Sequence, residues 1–155
     1  MDVRPLRDVD RERARAWLRE HWAESMAANG ELFYPADHDG FVAGDWAGLI
    51  TYRLDAGRCE ITLLKALREG EGIGSALLDA TVVAARAAGC TELWLVTTND
   101  NLHALAWYER KGFTVGAVRR GAVDRSRDTV KPSIPTHNPE NGLPISDEIE
   151  LSRAL

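Results

Sequence analysis

The segment Glu69-Gly70-Glu71-Gly72-Ile73-Gly74-Ser75 has the composition of an anion cradle. Glycines at alternate positions let the main chain turn through left-handed conformations and come close to a ligand. A helix that starts directly after them aims its unpaired N–H groups at negative charge. The flanking residues supply the rest of that device. Ile61-Thr62-Leu63-Leu64 is a short β-forming run, and Ile73, Leu77, Ala80, Ala84 and Ala87 recur at helical spacing until Gly89. A strand, a glycine turn and a helix start in this order point to a phosphorylated ligand.

Two familiar phosphate loops fit poorly. Nucleoside triphosphate hydrolysis by a P-loop needs a Lys-Ser/Thr pair after the last glycine. Here Ser75-Ala76 follows Gly74, and the helix carries no lysine. A dinucleotide fingerprint needs G-x-G-x-x-G and an acidic residue at the end of the next strand. The spacing here is G-x-G-x-G, and Glu92 precedes the next apolar run instead of ending it.

A second segment, Asn101-Leu102-His103-Ala104-Leu105-Ala106-Trp107-Tyr108-Glu109-Arg110-Lys111-Gly112-Phe113, also carries chemistry. Asn101 and Tyr108 are seven residues apart, about two helical turns, so both project from one side. Alone, Asn101 reads as a helix cap and Tyr108 as an amphipathic core residue. Together the two segments resemble the coenzyme A-dependent N-acetyltransferases of the GNAT superfamily. Glu69 to Gly74 is similar to its pyrophosphate loop, Q/R-x-x-G-x-G/A, and N-x-x-A-x-x-x-Y-E-x-x-G-F to its fourth-helix motif. The likeness spans about residues 41–120. Glu69 stands where the family usually has Gln or Arg, and Arg68 is displaced by one position. A carboxylate beside a pyrophosphate is unfavourable unless it points to solvent, so binding would rest on backbone amides.

The resemblance implies direct transfer of an acetyl group from acetyl-CoA to a primary amine of a small molecule or peptide, in a ternary complex. The alternative is an acyl-CoA-binding or sensing module that keeps the fold without turnover. It implies a mixed α/β (α+β) fold: a mostly antiparallel sheet of six to seven strands, splayed beside the acetyl-CoA site, with about four helices. The pantetheine arm would pair with Thr62, Leu63 and Leu64, and an N–H near Leu64 would polarise the thioester carbonyl. The pyrophosphate would lie on the amides of Glu69, Gly70, Glu71, Gly72, Ile73, Gly74 and Ser75. Asn101 would position the pantetheine, and Tyr108 would protonate the departing thiolate. Some relatives place a basic Glu at the position of Val96, so the proton acceptor lies elsewhere. Glu60, on the same strand face as Thr62 and Leu64, is the expected base; a surface salt bridge is its bland reading. His38, between Asp37 and Asp39, is a further option.

No metal site is expected: His21, His38, His103 and His137 are scattered. Cys59 and Cys90 are too few and too far apart for a disulfide framework and read as buried thiols. With 155 residues, 45% hydrophobic and 28% charged, the chain suits one globular domain, 1–155. A net charge of −5 argues against nucleic-acid binding and is compatible with cationic amines. No apolar run approaches the roughly 20 residues that cross a bilayer, and Met1-Asp2-Val3-Arg4-Pro5 lacks a signal-peptide core. A cytoplasmic protein without membrane contact is expected. Exposure of Trp17 or Trp22 would offer a homodimer surface.

The elements that must hold these residues follow from periodicity and punctuation. Val3 to Leu6 reads as a strand. Asp8 or Asp10 then caps a helix to about Met26, with Ala14, Trp17, Leu18 and Trp22 as its stripe. Asn29 to Gly40 reads as irregular, with a short helical turn as an option within it. Phe41 to Ala43, Leu49 to Leu54 and Cys59 to Leu64 form three successive strands. Leu93 to Thr97 reads as a strand covered on both faces, followed by a helix from Leu102 to Lys111 that Gly112 ends. Phe113 to Val118 and Ile145 to Leu151 are the last strands. Between them, 124–143 reads as a long polar crossing, a wall of the acceptor site or a dimer contact.

Overall fold

The computed structural model describes every residue from Met1 to Leu155. In chain order the elements are β1 (Val3–Pro5), α1 (Arg11–His21), β2 (Met26–Ala28), β3 (Glu31–Phe33), β4 (Asp39–Ala43), β5 (Gly48–Asp55), β6 (Arg58–Ala66), α2 (Ile73–Ala87) and β7 (Glu92–Thr98). α3 (Leu102–Arg110), β8 (Thr114–Arg119), α4 (Ala122–Thr129) and β9 (Glu148–Ala154) complete the chain. Seven strands form one mixed sheet in the order β1-β4-β5-β6-β7-β9-β8, and β2 and β3 pair separately. The chain divides into two compact units. The first is Met1–Ser25, Tyr34–Leu93 and Ala154–Leu155; the second is Met26–Phe33 and Trp94–Arg153. No helix is long and apolar enough to cross a membrane.

In the first unit, β1, β4, β5 and β6 form an antiparallel ladder. The β5–β6 reversal is made by Ala56 (φ 50°) and Gly57 (φ 77°). Two consecutive left-handed residues match the twist of a two-residue hairpin. α2 lies on one face of this ladder. Its buried residues are Ile73, Leu77, Leu78, Thr81, Val82 and Ala85, so the stripe is rotated from the expected Ala80, Ala84 and Ala87. The reason is area: Leu78 and Val82 bury more apolar surface than any alanine, and burial is proportional to area. Gly48 is what lets α2 sit down, because a Cβ there would meet Ile73 Cγ2 at 2.6 Å and Leu77 Cδ1 at 3.0 Å. Leu49 and its register partner Lys65 point to the other face, where Lys65 Nζ lies 5.3 Å from the Trp22 ring centroid.

α1 is shorter than the sequence suggests. It ends at His21, and Met26–Ala28 is extended. Ala14, Trp17 and Leu18 are buried as expected, with Trp17 Nε1 donating to the Trp46 carbonyl at 3.0 Å. Trp17 therefore offers no dimer surface, whereas Trp22 is 51% exposed. Asp10 does not cap α1 with its side chain. Its carboxylate accepts from Arg4 Nη1 at 2.8 Å and from the Arg7 N–H at 2.9 Å. These contacts, the Arg4 hydrogen bond foremost, hold it well below the usual carboxylate range. Cys59 and Cys90 are buried free thiols, and burial pushes Cys59 up to about 12.

In the second unit, Asn29 (φ 53°) and Gly30 (φ 72°) turn β2 into β3, a hairpin inside the stretch read as irregular. Its turn is anchored on Glu148 of β9, 2% exposed, which also accepts from Arg119 Nε at 3.1 Å. The segment read as a long crossing contains α4. Only Ala122, Val123 and Ser126 of α4 are buried. Arg127 fastens it, donating to the carbonyls of Ile134, Pro135 and Ile145 at 2.8–2.9 Å. The strand expected from Ile145 begins only at Glu148, because Ser146 and Asp147 instead donate their N–H groups to Asn99 Oδ1. β7 is less covered than its apolar run implies, with Leu93 and Leu95 buried and Trp94 and Val96 half-buried.

Gly40 permits a close approach within the ladder: a Cβ there would fall on the Ile50 carbonyl oxygen, a backbone atom that cannot swing away. Gly40→Ala is expected to cost about 1–3 kcal/mol of unfolding free energy. A urea melt with an unchanged midpoint would mean that β4 and β5 do not approach so closely.

Candidate functional site

The glycine turn carries two left-handed residues, Gly70 (φ 77°) and Gly72 (φ 75°), and the space beside both is open. The glycines are thus required by backbone conformation, and the room left by their missing side chains is available to a ligand. Gly72 is the N-cap of α2, and no side chain caps the helix. The first intrahelical bond runs from Ala76 N to Gly72 O at 3.0 Å. Ile73, Gly74 and Ser75 therefore present N–H groups without an intrahelical acceptor, at the positive end of a 15-residue helix. Arg68 Nε donates to Glu71 Oε2 at 2.6 Å across the turn, and both side chains are about half exposed. Such a pair contributes at most about 1 kcal/mol, so Arg68 can leave Glu71 for a stronger anion. Glu69 is exposed.

β6 leads into this turn. Its ladder with β5 slips by one residue: Thr51 faces Leu63 and Tyr52 faces Ile61, so Thr62 is the extra residue of a bulge. Thr62 and Leu63 are buried and Leu64 is half-buried. Thr62 Oγ1 lies 2.7 Å from Thr51 Oγ1 and 2.9 Å from His38 Nδ1. The backbone that presents His38 is fixed by α1, where Arg11 Nη1 donates to the carbonyls of Ala36 (2.9 Å) and His38 (2.7 Å). Sequence reasoning singled out His38 and Thr62 separately and missed Thr51. The one available signal was a hydroxyl in each of two apolar strands.

Glu60 is the register partner of Arg53, and its Oε1 accepts from Arg53 Nε at 3.0 Å. The carboxylate is only 10% exposed. It forms a largely buried ion pair between β5 and β6.

On α3, in the second unit, Asn101 is the N-cap: its Oδ1 accepts from the Ala104 N–H at 3.3 Å. Tyr108 is 8% exposed and packs edge-on against Trp107 and Phe113, with ring centroids 5.0 and 5.3 Å away. Burial alone raises its phenol above the ordinary value of 10.0, so the hydroxyl keeps its proton across the physiological range. His103 is exposed on the same helix. No group of three or more His, Cys, Asp or Glu side chains is placed to hold a metal ion.

Residues 3–113 match the family model described as Acetyltransferase (GNAT) family, and the chain belongs to that family. The protein YdhI of Bacillus subtilis strain 168, itself named as uncharacterized, is 36% identical over 160 residues, covering 100% of this chain and 99% of its own. Two solved structures share the fold. An acetyltransferase from Bacillus subtilis in complex with CoA has a TM-score of 0.68 at 17% identity, covering 99% of this chain and 97% of its own. A GNAT family acetyltransferase from Elizabethkingia anophelis with acetyl-CoA bound has a TM-score of 0.67 at 18% identity, with the same coverage.

The Arg53–Glu60 pair makes a stability prediction. Arg53 is 35% exposed and can recover water when its partner is removed, so Glu60→Gln should cost only about 1 kcal/mol. A loss several times larger in chemical denaturation would show that the carboxylate holds more of the sheet than this one contact.

Proposed function

We propose that this protein transfers the acetyl group of acetyl-CoA to a primary amine of a small molecule or peptide, by direct attack in a ternary complex. The observation that carries the reading is the open, uncapped α2 N-terminus behind Gly70 and Gly72, fed by a bulged strand. The relatives that hold CoA and acetyl-CoA support the choice of ligand. The amides of Gly70 to Ser75 take the pyrophosphate, and the backbone of Thr62, Leu63 and Leu64 lies along the pantetheine arm. An N–H near Leu64 polarises the thioester carbonyl and stabilises the oxyanion as the amine adds. As the neutral amine adds, the C–N bond forms and the C–S bond breaks; the thiolate takes its proton from Tyr108, and the nitrogen returns one to the tyrosinate. Asn101 positions the pantetheine.

Calorimetric titration with acetyl-CoA, followed by a thiol-release assay over a panel of amines, tests this. Binding with release on at least one amine is expected. Binding without release on any amine would leave a sensing module, and no binding would remove both readings.

The anion cradle has an internal competitor, since Glu71 holds Arg68. Glu71→Gln should release the guanidinium and tighten acetyl-CoA binding by about two- to tenfold, while Glu69→Gln leaves affinity unchanged or improves it. A marked loss in either variant would mean that the loop holds its ligand through these carboxylates.

Tyr108→Phe should lower kcat by about tenfold or more with acetyl-CoA affinity nearly intact. Because the phenol is raised by burial, the wild-type profile should show no limb from Tyr108 up to about pH 10. Unchanged kcat in the variant would remove Tyr108 from the mechanism.

A further inference from the structure

The segment before β9 ends in a small hairpin that lies outside the named strands. The Ile145 N–H donates to the Thr136 carbonyl at 2.9 Å, the Asn138 N–H to that of Leu143 at 2.9 Å, and the Gly142 N–H back to that of Asn138 at 2.8 Å. His137 and Pro144 face each other as an antiparallel bridge. Two asparagines shape the tip: Asn138 Oδ1 accepts from the Glu140 N–H, and Asn141 Oδ1 from the Leu143 N–H. Apart from Asn138, residues 136–144 are all exposed. The hairpin therefore gains little from apolar burial, and polar contacts must hold it in place.

Those contacts converge on Asn99 and Asp100, the residues directly before the α3 N-cap Asn101. Asn138 Nδ2 donates to Asp100 Oδ2 at 3.0 Å, and Asn141 Nδ2 to the Asp100 carbonyl at 2.9 Å. Asn99 Nδ2 donates to the Pro144 carbonyl at 2.9 Å, and its Oδ1 takes the N–H groups of Ser146 and Asp147. From the other side, the Leu102 N–H bonds the Asp100 carbonyl and the Asn101 N–H bonds that of Thr98. The turn is thus clamped between a helix start and the hairpin. Asp100 is only 5% exposed, and its Oδ1 has no hydrogen-bond partner. A carboxylate buried in this way costs stability, which the nearby start of α3 offsets in part. A group held at such a cost is a candidate for a role beyond folding.

Resting on the proposed reading, in which Asn101 positions the pantetheine, we propose that Asn99 and Asp100 are positioning residues for the cofactor, with the hairpin as their external brace. Asn101 Oδ1 is spent on the Ala104 N–H, which leaves its Nδ2 as the donor for a pantetheine carbonyl. The aim of that Nδ2 depends on the backbone of the turn, and the turn depends on the brace. Asn99 and Asp100 act through Asn101 and have no assigned contact with substrate. Coupling of this kind is reciprocal: a cofactor that needs the braced turn must also steady the hairpin, and a loosened hairpin must weaken the cofactor by the same factor.

The direction of the Asn138–Asp100 bond supplies the test. Asn138→Asp keeps an acceptor for the Glu140 N–H but sets two carboxylates against each other. Asp100→Asn combined with Asn138→Asp restores the bond with donor and acceptor exchanged. By calorimetry, Asn138→Asp should weaken acetyl-CoA binding by about fivefold or more, and the double variant should recover most of that loss. Asn141→Asp, at an exposed position that keeps its bond from the Leu143 N–H, is the second variant and should also weaken binding. In hydrogen exchange, acetyl-CoA should slow the N–H groups of Asn138, Gly142 and Ile145 in the wild type and not in Asn138→Asp. Where an amine is turned over, Asn138→Asp should raise KM for acetyl-CoA with kcat within about twofold of wild type. Unchanged affinity in Asn138→Asp and Asn141→Asp, or a loss that the double variant fails to reverse, overturns the brace and leaves the cofactor reading standing. A loss carried in kcat with KM unchanged overturns it as well. Calorimetry and exchange need no turnover, so they decide the brace even if every amine fails. A wild type that does not bind acetyl-CoA removes the cofactor reading and the brace with it.

Discussion

The contact between Gly48 and α2 is the constraint on which the cofactor loop depends. Ile73 and Leu77, the first two core residues of the helix, rest where the Gly48 side chain would be. Ile73 is also the first helical residue after the glycine turn, so the seat on β5 sets where the helix begins. The unpaired N–H groups of the first turn are thereby tied to a buried strand and not to a loop. A helix start seated this way is positioned by core packing and not by a ligand. The same argument explains why the turn tolerates Glu69 and Glu71. Side chains there are exposed and can point away, whereas the N–H groups of Ile73, Gly74 and Ser75 belong to the first turn of a packed helix.

The β5–β6 bulge is the complementary constraint on the chemistry. A regular ladder would pair Thr62 directly and send its side chain to the face dictated by strict alternation. The one-residue slip between Thr51 and Tyr52 turns Thr62 against Thr51 and within reach of His38. Bulges re-aim single side chains in this way without disturbing the strand on either side. Glu60, placed before the slip, keeps its register partner Arg53 and pairs with it. One irregularity therefore gives neighbouring residues of β6 different surroundings, an ion pair for Glu60 and a hydroxyl contact for Thr62.

The sequence was most legible where backbone conformation is restricted. Gly70 and Gly72 had to be left-handed for the loop to turn, and they are. Asn101 had to cap α3, and it does. It was least legible where tertiary contacts replace local pattern. α4 has the polar sequence Ala122-Val-Asp-Arg-Ser-Arg-Asp-Thr129 with three buried positions, and its stability comes from Arg127 gripping carbonyls up to 18 residues away. The β2–β3 hairpin did carry a local signal, Asn29-Gly30, but the strands on either side have only three residues each. The α2 stripe was misjudged because alanines at helical spacing hide the larger Leu78 and Val82 beside them. The Glu60 pairing and the Thr51–Thr62 contact depend on register, which no spacing within a single strand reveals.

Stability alone does not account for the two threonines. The two hydroxyls bond each other and Thr62 also bonds His38, so the pair is tolerated, but tolerance is not a reason for its presence. Replacing both members of a buried hydrogen bond with apolar groups of similar shape is often neutral or stabilising, and valine has nearly the shape of threonine. The interior between β5 and β6 would accept two valines with no loss of apolar burial. What two valines could not do is hold the imidazole of His38, just before β4, by a hydrogen bond. A hydrogen-bonded pair of this kind fixes orientation in a way that dispersion contacts do not, because it is satisfied in only one arrangement of donors and acceptors. The physical value of Thr51 and Thr62 lies in that fixed arrangement at the bulge.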